Sequence, residues 1–188
     1  MTKKTKLTIY RVVCLAVCLL MAVSLLAGCS SNDNKSDDFT IETITMSEAA
    51  KKMEDKDTFV LMFERENCPF CEKLNDYIAK TSADHSGLKV YRVETTDFDL
   101  YREHEGDKTL KSDSEDGKKL LELFPYFLYT PAVYQIKDGV PVMMAAGFDE
   151  QRNTISSWDV DSTVDLNVAE PVDVYEFFEE GQAPEELQ

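Results

Sequence analysis

A cysteine pair at the junction of an apolar strand and an amphipathic helix constrains this chain more than any other feature of its sequence. The pair lies in the segment Cys68-Pro69-Phe70-Cys71. Residues 58–63 before it form an apolar run whose β-branched and aromatic content is typical of a strand buried on both faces. Residues 71–80 after it place apolar side chains on one side at helical spacing. Because residues three apart are neighbours at the start of a helix, Cys68 and Cys71 can reach each other.

The position of the two cysteines assigns them different chemical tasks. Cys68 stands where the cap of the predicted helix should be, and Pro69 suits the first helical position because its missing N–H is not needed there. The free N–H groups and the helix dipole then favour the thiolate of Cys68, the form that attacks disulfides. Cys71, one turn further on, is predicted to be the resolving thiol that releases a mixed disulfide.

The N-terminus has the pattern of an export signal. Basic residues at Lys3, Lys4, Lys6 and Arg11 precede an almost continuous apolar run over residues 12–27, which is short for a membrane span. The last four positions of this region, Leu-Ala-Gly-Cys ending at Cys29, resemble the lipobox of bacterial lipoproteins. That resemblance implies a signal peptide over residues 1–28, lipid on Cys29, and a cell-membrane lipoprotein on the extracytoplasmic face. An uncleaved N-terminal anchor is the alternative.

The leader also decides which cysteines remain for redox chemistry. Of the five cysteines, Cys14 and Cys18 lie in the removable segment and Cys29 would carry lipid, so Cys68 and Cys71 are left. Disulfides persist outside the cytoplasm. A disulfide that closes so short a loop removes little chain entropy, so the pair is predicted to be reactive rather than a structural staple.

Composition narrows the range of partners. The chain has 188 residues, a hydrophobic fraction of 43% and a formal net charge of −16. This composition fits a globular domain with a solvated acidic surface and argues against nucleic acid as a partner.

The sequence offers few ligands for a metal. A zinc site needs two ligands beyond the cysteine pair, and His85 and His104 stand alone in polar loops. We therefore expect no metal and no cofactor other than the Cys68–Cys71 disulfide. The expected partners are protein thiols and disulfides, and the expected state is a monomer.

The rest of the chain predicts one α/β domain. Residues 29–39 are polar and are predicted to be a flexible tether, with the folded domain over residues 40–188. Helices and strands alternate along this domain, and Lys137-Asp138-Gly139 between two extended runs predicts a hairpin. These patterns predict a central mixed β-sheet flanked by helices. The predicted elements are strands at 39–45, 58–64, 88–93, 132–136 and 140–146 and helices at 47–56, 71–80, 118–124 and 172–180.

Three stretches lack a clear period. Residues 97–117 are acidic and are predicted to be a partly helical insertion, either a solvated loop or a segment that helps to select partners. Residues 149–170 are predicted to be irregular, with Trp158 partly buried in a packing role rather than in contact with substrate. Residues 181–188 are predicted to be a frayed acidic tail.

Taken together, the motifs resemble the thioredoxin fold over most of residues 40–180. The resemblance rests on strand, Cys-Pro-Phe-Cys and helix in that order, on Thr130-Pro131 before a later strand, and on the hairpin whose second strand ends at Gly147. It extends to the exported thioredoxin-like proteins that include the bacteriocin transport accessory proteins. It implies a cis Pro131 facing the cysteines, a Thr130 backbone that pairs with the substrate chain, and substrate contacts from Pro69 and Phe70. Tyr126 and Tyr129 would either line that groove or pack in the core.

The resemblance implies a membrane-tethered thiol–disulfide oxidoreductase, and the departures from the pattern leave its redox direction open. Thioredoxin has a tryptophan at the position of Asn67 and a buried aspartate at that of Met62, the proton acceptor for the resolving thiol. Glu64 or Glu66 could take the aspartate's place. The alternative function is a non-catalytic accessory lipoprotein that serves as an interaction scaffold in secretion or bacteriocin export. A peroxidase is a weaker candidate, because that family's additional active-site Thr/Arg constellation is not evident.

Overall fold

The computed structural model describes residues 38–160 and 167–183, which form a β-sheet covered by helices. In chain order the elements are β1 (Thr40–Thr43), α1 (Met46–Glu54), β2 (Phe59–Glu64), α2 (Pro69–Thr81), β3 (Lys89–Glu94), β4 (Leu100–Tyr101), β5 (Lys111–Ser112), α3 (Glu115–Leu123), β6 (Ala132–Lys137), β7 (Val140–Asp149), β8 (Thr154–Asp159), β9 (Glu170–Asp173) and α4 (Val174–Glu180).

The main sheet has seven strands in the order β1-β3-β2-β6-β7-β8-β9. The pairs β1/β3 and β3/β2 are parallel, and every pair from β2/β6 onward is antiparallel. The predicted α/β class with a mixed central sheet flanked by helices is therefore confirmed. Strands β4 and β5 form a separate two-stranded ladder within residues 97–117.

Strand β2 separates two apolar clusters by the ordinary alternation of its side chains. Phe59, Leu61 and Phe63 belong to one cluster with residues of α1 and α3. Val60 and Met62 belong to the other cluster, with residues of α2 and α4. All six residues of β2 are buried, which explains why this strand is an unbroken apolar run until Glu64.

Local hydrogen bonds fix where the helices begin. Thr45 and Glu48 form a capping box, in which the Glu48 N–H donates to Thr45 Oγ1 at 3.2 Å and the Thr45 N–H donates to Glu48 Oε2 at 2.7 Å. The first helix thus begins one residue before the predicted start at Ser47. The Ser114 hydroxyl caps α3 by accepting from the Gly117 N–H at 3.0 Å.

One prediction about the irregular stretches is wrong and another is incomplete. Residues 149–170 contain β8 and the first residue of β9, which extend the sheet beyond the predicted strands. Trp158 packs in the apolar cluster and is 5% exposed, so its predicted packing role is confirmed. Residues 97–117 contain the β4/β5 ladder, and helix enters this stretch only at Glu115. Strand β8 carries two serines, and β4 and β5 are each two residues long, so pairing with a neighbouring strand, rather than a long apolar run, selects the extended conformation.

The predicted ends of the domain also differ from the structure. Phe39, the last residue of the predicted tether, stacks on Phe178 with 6.1 Å between ring centroids. Gly181 and Gln182, expected in the frayed tail, are buried, and Gln182 Nε2 donates to the Lys89 carbonyl at 3.1 Å. The predicted signal peptide, Cys29 and residues 184–188 lie outside the described residues. Across residues 38–160 and 167–183, no helix has the length and hydropathy needed to cross a membrane.

Candidate active site

The site begins at the turn that connects β2 to α2. Asn67 has a φ of 54°, in the left-handed region that asparagine tolerates better than most side chains. Cys68 follows in an extended conformation (φ −107°, ψ 103°) as the N-cap of α2, and Pro69 occupies the first turn. The backbone of Asn67 thus directs the chain so that the cysteine caps the helix, which is a physical reason for asparagine at this position.

Cys68 and Cys71 are joined by a disulfide, with 5.2 Å between their Cα atoms. The Cys71 N–H donates to Cys68 Sγ at 3.2 Å, so a helical N–H group points at this sulfur. Such a donor would stabilise a thiolate on Cys68 after reduction, because charge-assisted hydrogen bonds are stronger than neutral ones.

A second segment of the chain meets the cysteine pair from the start of β6. The Thr130–Pro131 peptide bond is cis. Cys68 Sγ lies 3.3 Å from the Thr130 carbonyl oxygen and 3.5 Å from Thr130 Oγ1. The Thr130 hydroxyl can donate to a thiolate, whereas the carbonyl oxygen repels one and would accept from a thiol. Pro131 itself is buried, and its carbonyl accepts from the Gly147 N–H at 3.1 Å, which connects this turn to β7.

An open cavity of about 580 Å³ borders the first cysteine. Cys68 is only 2% exposed, but it is one of the residues in the cavity wall. Phe70 and Tyr129 also line it and are 54% and 50% exposed, which is unusual for side chains of this size. The lining residues are Arg65, Glu66, Cys68, Pro69, Phe70, Thr95, Thr96, Leu100, Arg102, Leu110, Phe127, Leu128, Tyr129 and Thr130.

The structure brings most of the sequence-predicted site residues to this one cavity. Cys68, Pro69, Phe70 and Thr130 all line it, whereas Pro131 is buried behind it. Cys71 is 3% exposed and faces a different hollow. Of the two tyrosines considered for the groove, Tyr129 lines the cavity and Tyr126 does not line it.

The hollow at Cys71 contains a buried carboxyl group. Glu64 is 3% exposed and shares this hollow of about 550 Å³ with Cys71. Asn75 Nδ2 donates to Glu64 Oε1 at 2.8 Å, and Arg92 Nη1 lies 3.5 Å from Glu64 Oε2. Burial raises the pKa of Glu64, and the Asn75 hydrogen bond and the Arg92 charge oppose that rise. Of the four glutamates that line this hollow with Cys71, Glu64 is the buried one.

The two glutamates that could replace the missing aspartate both line the hollow at Cys71, and they differ in burial. Met62 packs among the apolar residues beneath α2 and α4 and is fully buried. Glu64, two residues along the same face of β2, is buried where it lines the hollow at Cys71. Glu66 is exposed beyond the end of the strand, and its N–H donates to Thr96 Oγ1 at 2.8 Å.

The histidines lie apart from the cysteines. His85, expected to be a solvent-exposed loop residue, stacks on the Tyr175 ring with 3.5 Å between centroids, and its Nδ1 lies 3.9 Å from Glu179 Oε1. His104 is exposed within residues 97–117. Within the described ranges, no cluster of three or more His, Cys, Asp or Glu residues has the arrangement to hold a metal ion.

Sequence reasoning did not identify Arg65, Arg102, Leu100 and Leu110 as residues of the cavity wall. Arg65 lies close to the motif in sequence, so proximity could have suggested it. The other three belong to residues 97–117, and no local pattern indicates that this insertion folds back toward Cys68.

The geometry assembles a helix-capping disulfide, a facing Thr130-Pro131 turn and an open cavity at the first cysteine. Comparison of the chain with models of known protein families gave no match, and no curated protein matched it significantly.

Proposed function

We propose that the chain has a thioredoxin-like fold and is a thiol–disulfide oxidoreductase that exchanges disulfides with protein substrates. In this proposal, lipid on Cys29 tethers it to the extracytoplasmic face of a cell membrane. One observation carries the proposal: the Cys68 sulfur caps α2, lies beside Thr130 and is part of the wall of an open cavity. A purely structural disulfide requires neither the facing turn nor the cavity.

The cycle starts from the reduced protein. The Cys68 thiolate attacks one sulfur of a partner disulfide, and a new bond joins Cys68 to that sulfur while the other partner sulfur leaves as a thiolate. The Cys71 thiolate then attacks Cys68 Sγ, and the first partner sulfur leaves. Two electrons have moved to the partner, which holds two thiols, and the protein holds the Cys68–Cys71 disulfide. The same steps in reverse oxidise a partner dithiol.

Each residue of the site has a defined part in these steps. The Cys71 N–H and the Thr130 hydroxyl stabilise negative charge on Cys68 Sγ before attack and when this sulfur leaves. Phe70 and Tyr129 offer exposed aromatic surface to a partner chain at the cavity. Glu64 lies in the hollow at Cys71, where a proton must be removed before the second attack.

The test is catalysis of insulin disulfide reduction by dithiothreitol, measured with the full-length protein. The wild type should accelerate the reaction, Cys68→Ala should abolish the acceleration, and Cys71→Ala should accumulate mixed disulfides with the substrate. Cys18→Ala, at a cysteine outside the pair that the proposal places in the removable leader, is the control for the unprocessed full-length protein and should behave as wild type. Equal activity in Cys68→Ala would refute the proposal.

A second candidate is the non-catalytic interaction scaffold. The observation that favours it is the 2% exposure of Cys68, which is low for a nucleophile, beside the exposed rings of Phe70 and Tyr129. If the protein is a scaffold, cells that carry Cys68→Ala/Cys71→Ala should keep the wild-type phenotype, and the variant should still bind its partner. Loss of the phenotype and of partner binding in this double variant argues against the scaffold.

A further inference from the structure

The arginines of this acidic protein are not distributed evenly with respect to its carboxylates. Four arginines occur in the described residues, and Arg92 and Arg152 each lie within 4 Å of a carboxylate oxygen. Arg65 and Arg102 form no ion pair with any carboxylate of residues 38–160 or 167–183. These two are also the arginines that line the cavity at Cys68.

Both guanidinium groups keep donors free to bind a ligand. Arg65 Nη1 donates to the Glu66 carbonyl at 3.3 Å, and Arg102 Nε donates to the Asp107 carbonyl at 3.0 Å. Both side chains are exposed. The Arg102 guanidinium lies 5.6 Å from the centroid of the Tyr129 ring, which helps to orient its planar group. The remaining N–H donors of each arginine have the fork geometry that binds a carboxylate with two hydrogen bonds.

The charge of the cavity wall is opposite in sign to that of the chain. The chain has 36 acidic and 20 basic side chains, whereas the cavity wall has two arginines and one carboxylate, that of Glu66. At physiological ionic strength, charges beyond about 8 Å are largely screened. A group that enters the cavity therefore interacts mainly with the nearby charges, which are the two arginines, Glu66 and Glu94, whose Oε1 accepts from the Thr96 hydroxyl at 2.6 Å. The more distant acidic residues of the surface contribute less.

We propose that this cavity selects disulfide substrates whose reacting cysteine is flanked by acidic residues. The occupant is an extended segment of a protein substrate, with its carboxylates on Arg65 and Arg102 and its apolar side chains against Phe70 and Tyr129. The inference rests on the proposed exchange activity and names the substrate class for it. It also assigns a function to the acidic insertion over residues 97–117, which supplies Arg102 to the wall.

The experiment uses peptides that differ only beside their single cysteine, with aspartate, asparagine or lysine on both sides. Each peptide is supplied as its mixed disulfide with 2-thiopyridine, and the reduced full-length protein is added in excess. Attack by Cys68 forms the protein–peptide disulfide and releases 2-thiopyridone. The rate of attack by Cys68 is the rate of this absorbance change minus the rate with Cys68→Ala, which measures release by the other thiols. Attack by Cys71 then releases the peptide thiol and forms the Cys68–Cys71 disulfide.

The aspartate peptide should react about three- to tenfold faster than the asparagine peptide, as expected for one or two partly solvated charge pairs, and the lysine peptide should be slowest. In Arg65→Gln/Arg102→Gln the ratio of aspartate to asparagine rates should fall to one or below, because carboxylates beside the disulfide repel the attacking thiolate once the arginines are gone. Arg152→Gln, an arginine outside the cavity, is the matched control and should keep the wild-type ratio.

The outcomes separate this inference from the proposed function. Release from all peptides at equal rates, or a ratio that persists in the double variant, overturns the acidic preference and leaves the exchange activity standing. No release from any peptide overturns the exchange activity and with it the preference. Circular dichroism checks that the double variant is folded, which we expect because both arginines are exposed.

Discussion

Replacement of Tyr134 by phenylalanine should stabilise this protein, because the Tyr134 hydroxyl is buried without a hydrogen-bond partner among the described residues. Burial raises the pKa of Tyr134, so the group is a neutral hydroxyl with an unmet donor and acceptor. An unsatisfied buried polar group costs about 1 to 3 kcal/mol, and Tyr134→Phe removes that cost. The ring keeps its contacts with Phe124 and Phe63, at 4.6 and 5.7 Å between centroids.

The matched control is Tyr175→Phe, at another buried tyrosine. The Tyr175 hydroxyl lies 2.9 Å from Thr81 Oγ1, so its removal breaks a hydrogen bond instead of relieving an unsatisfied group. Tyr175→Phe should therefore lower the free energy of unfolding by about 0.5 to 1.5 kcal/mol.

Urea denaturation of the wild type and both variants gives the free energies and the slopes of unfolding. Unchanged slopes would show that the midpoint shifts report stability. Each kcal/mol should also shift the melting temperature by about 2 to 4 °C for a protein of this size. Tyr134→Phe should leave disulfide exchange unchanged, because the ring that supports the core beside the Thr130-Pro131 turn remains in place. A Tyr134→Phe variant no more stable than wild type would refute the reasoning.

Two further predictions concern pH and the backbone. The pKa of Glu64 is raised above its ordinary value of 4.5, so its contribution to stability is present below that value and is lost as pH rises through the folded-state pKa. Urea melts of wild type and Glu64→Gln give the difference between their free energies of unfolding. The variant's free energy minus that of wild type should rise with pH from about 4.5 and then level off. A difference that stays flat or falls with pH would contradict the burial argument. Gly139 has a φ of +77°, and a Cβ there would collide with the Met53 carbonyl oxygen. Gly139→Ala should cost about 2 to 5 kcal/mol in the same melts, against about 1 to 2 kcal/mol for Gly106→Ala, where φ is +90° and the space is open; equal costs would contradict the collision.

Within the described domain, the sequence determined the local conformations around the cysteines. The apolar run of β2, the helical spacing after Cys71, the position of Pro69 and the Asp138-Gly139 turn depend on interactions between residues a few positions apart. Propensity, alternation and turn geometry act at that range, so these elements could be predicted without knowledge of their neighbours. The α/β class followed from their order along the chain.

Pairing between distant segments decided what the sequence left open. Strand β8 has serines at two of its six positions, and it is a strand because β7 offers a free edge on one side and β9 pairs on the other. Its apolar content alone could not show this, because polar edge strands and loops have similar compositions.

The residues of the candidate site also separate into those that the sequence identified and those that only the tertiary structure revealed. The sequence identified Cys68 and Cys71, but only the tertiary structure places Arg102, 34 residues beyond Cys68, in the same cavity wall and Glu64 in the hollow at Cys71. Short-range interactions fix the conformation of the motif itself. The groups that surround it are brought there by the register of the sheet and by the folding back of residues 97–117. Both arrangements are stabilised by contacts between residues distant in sequence.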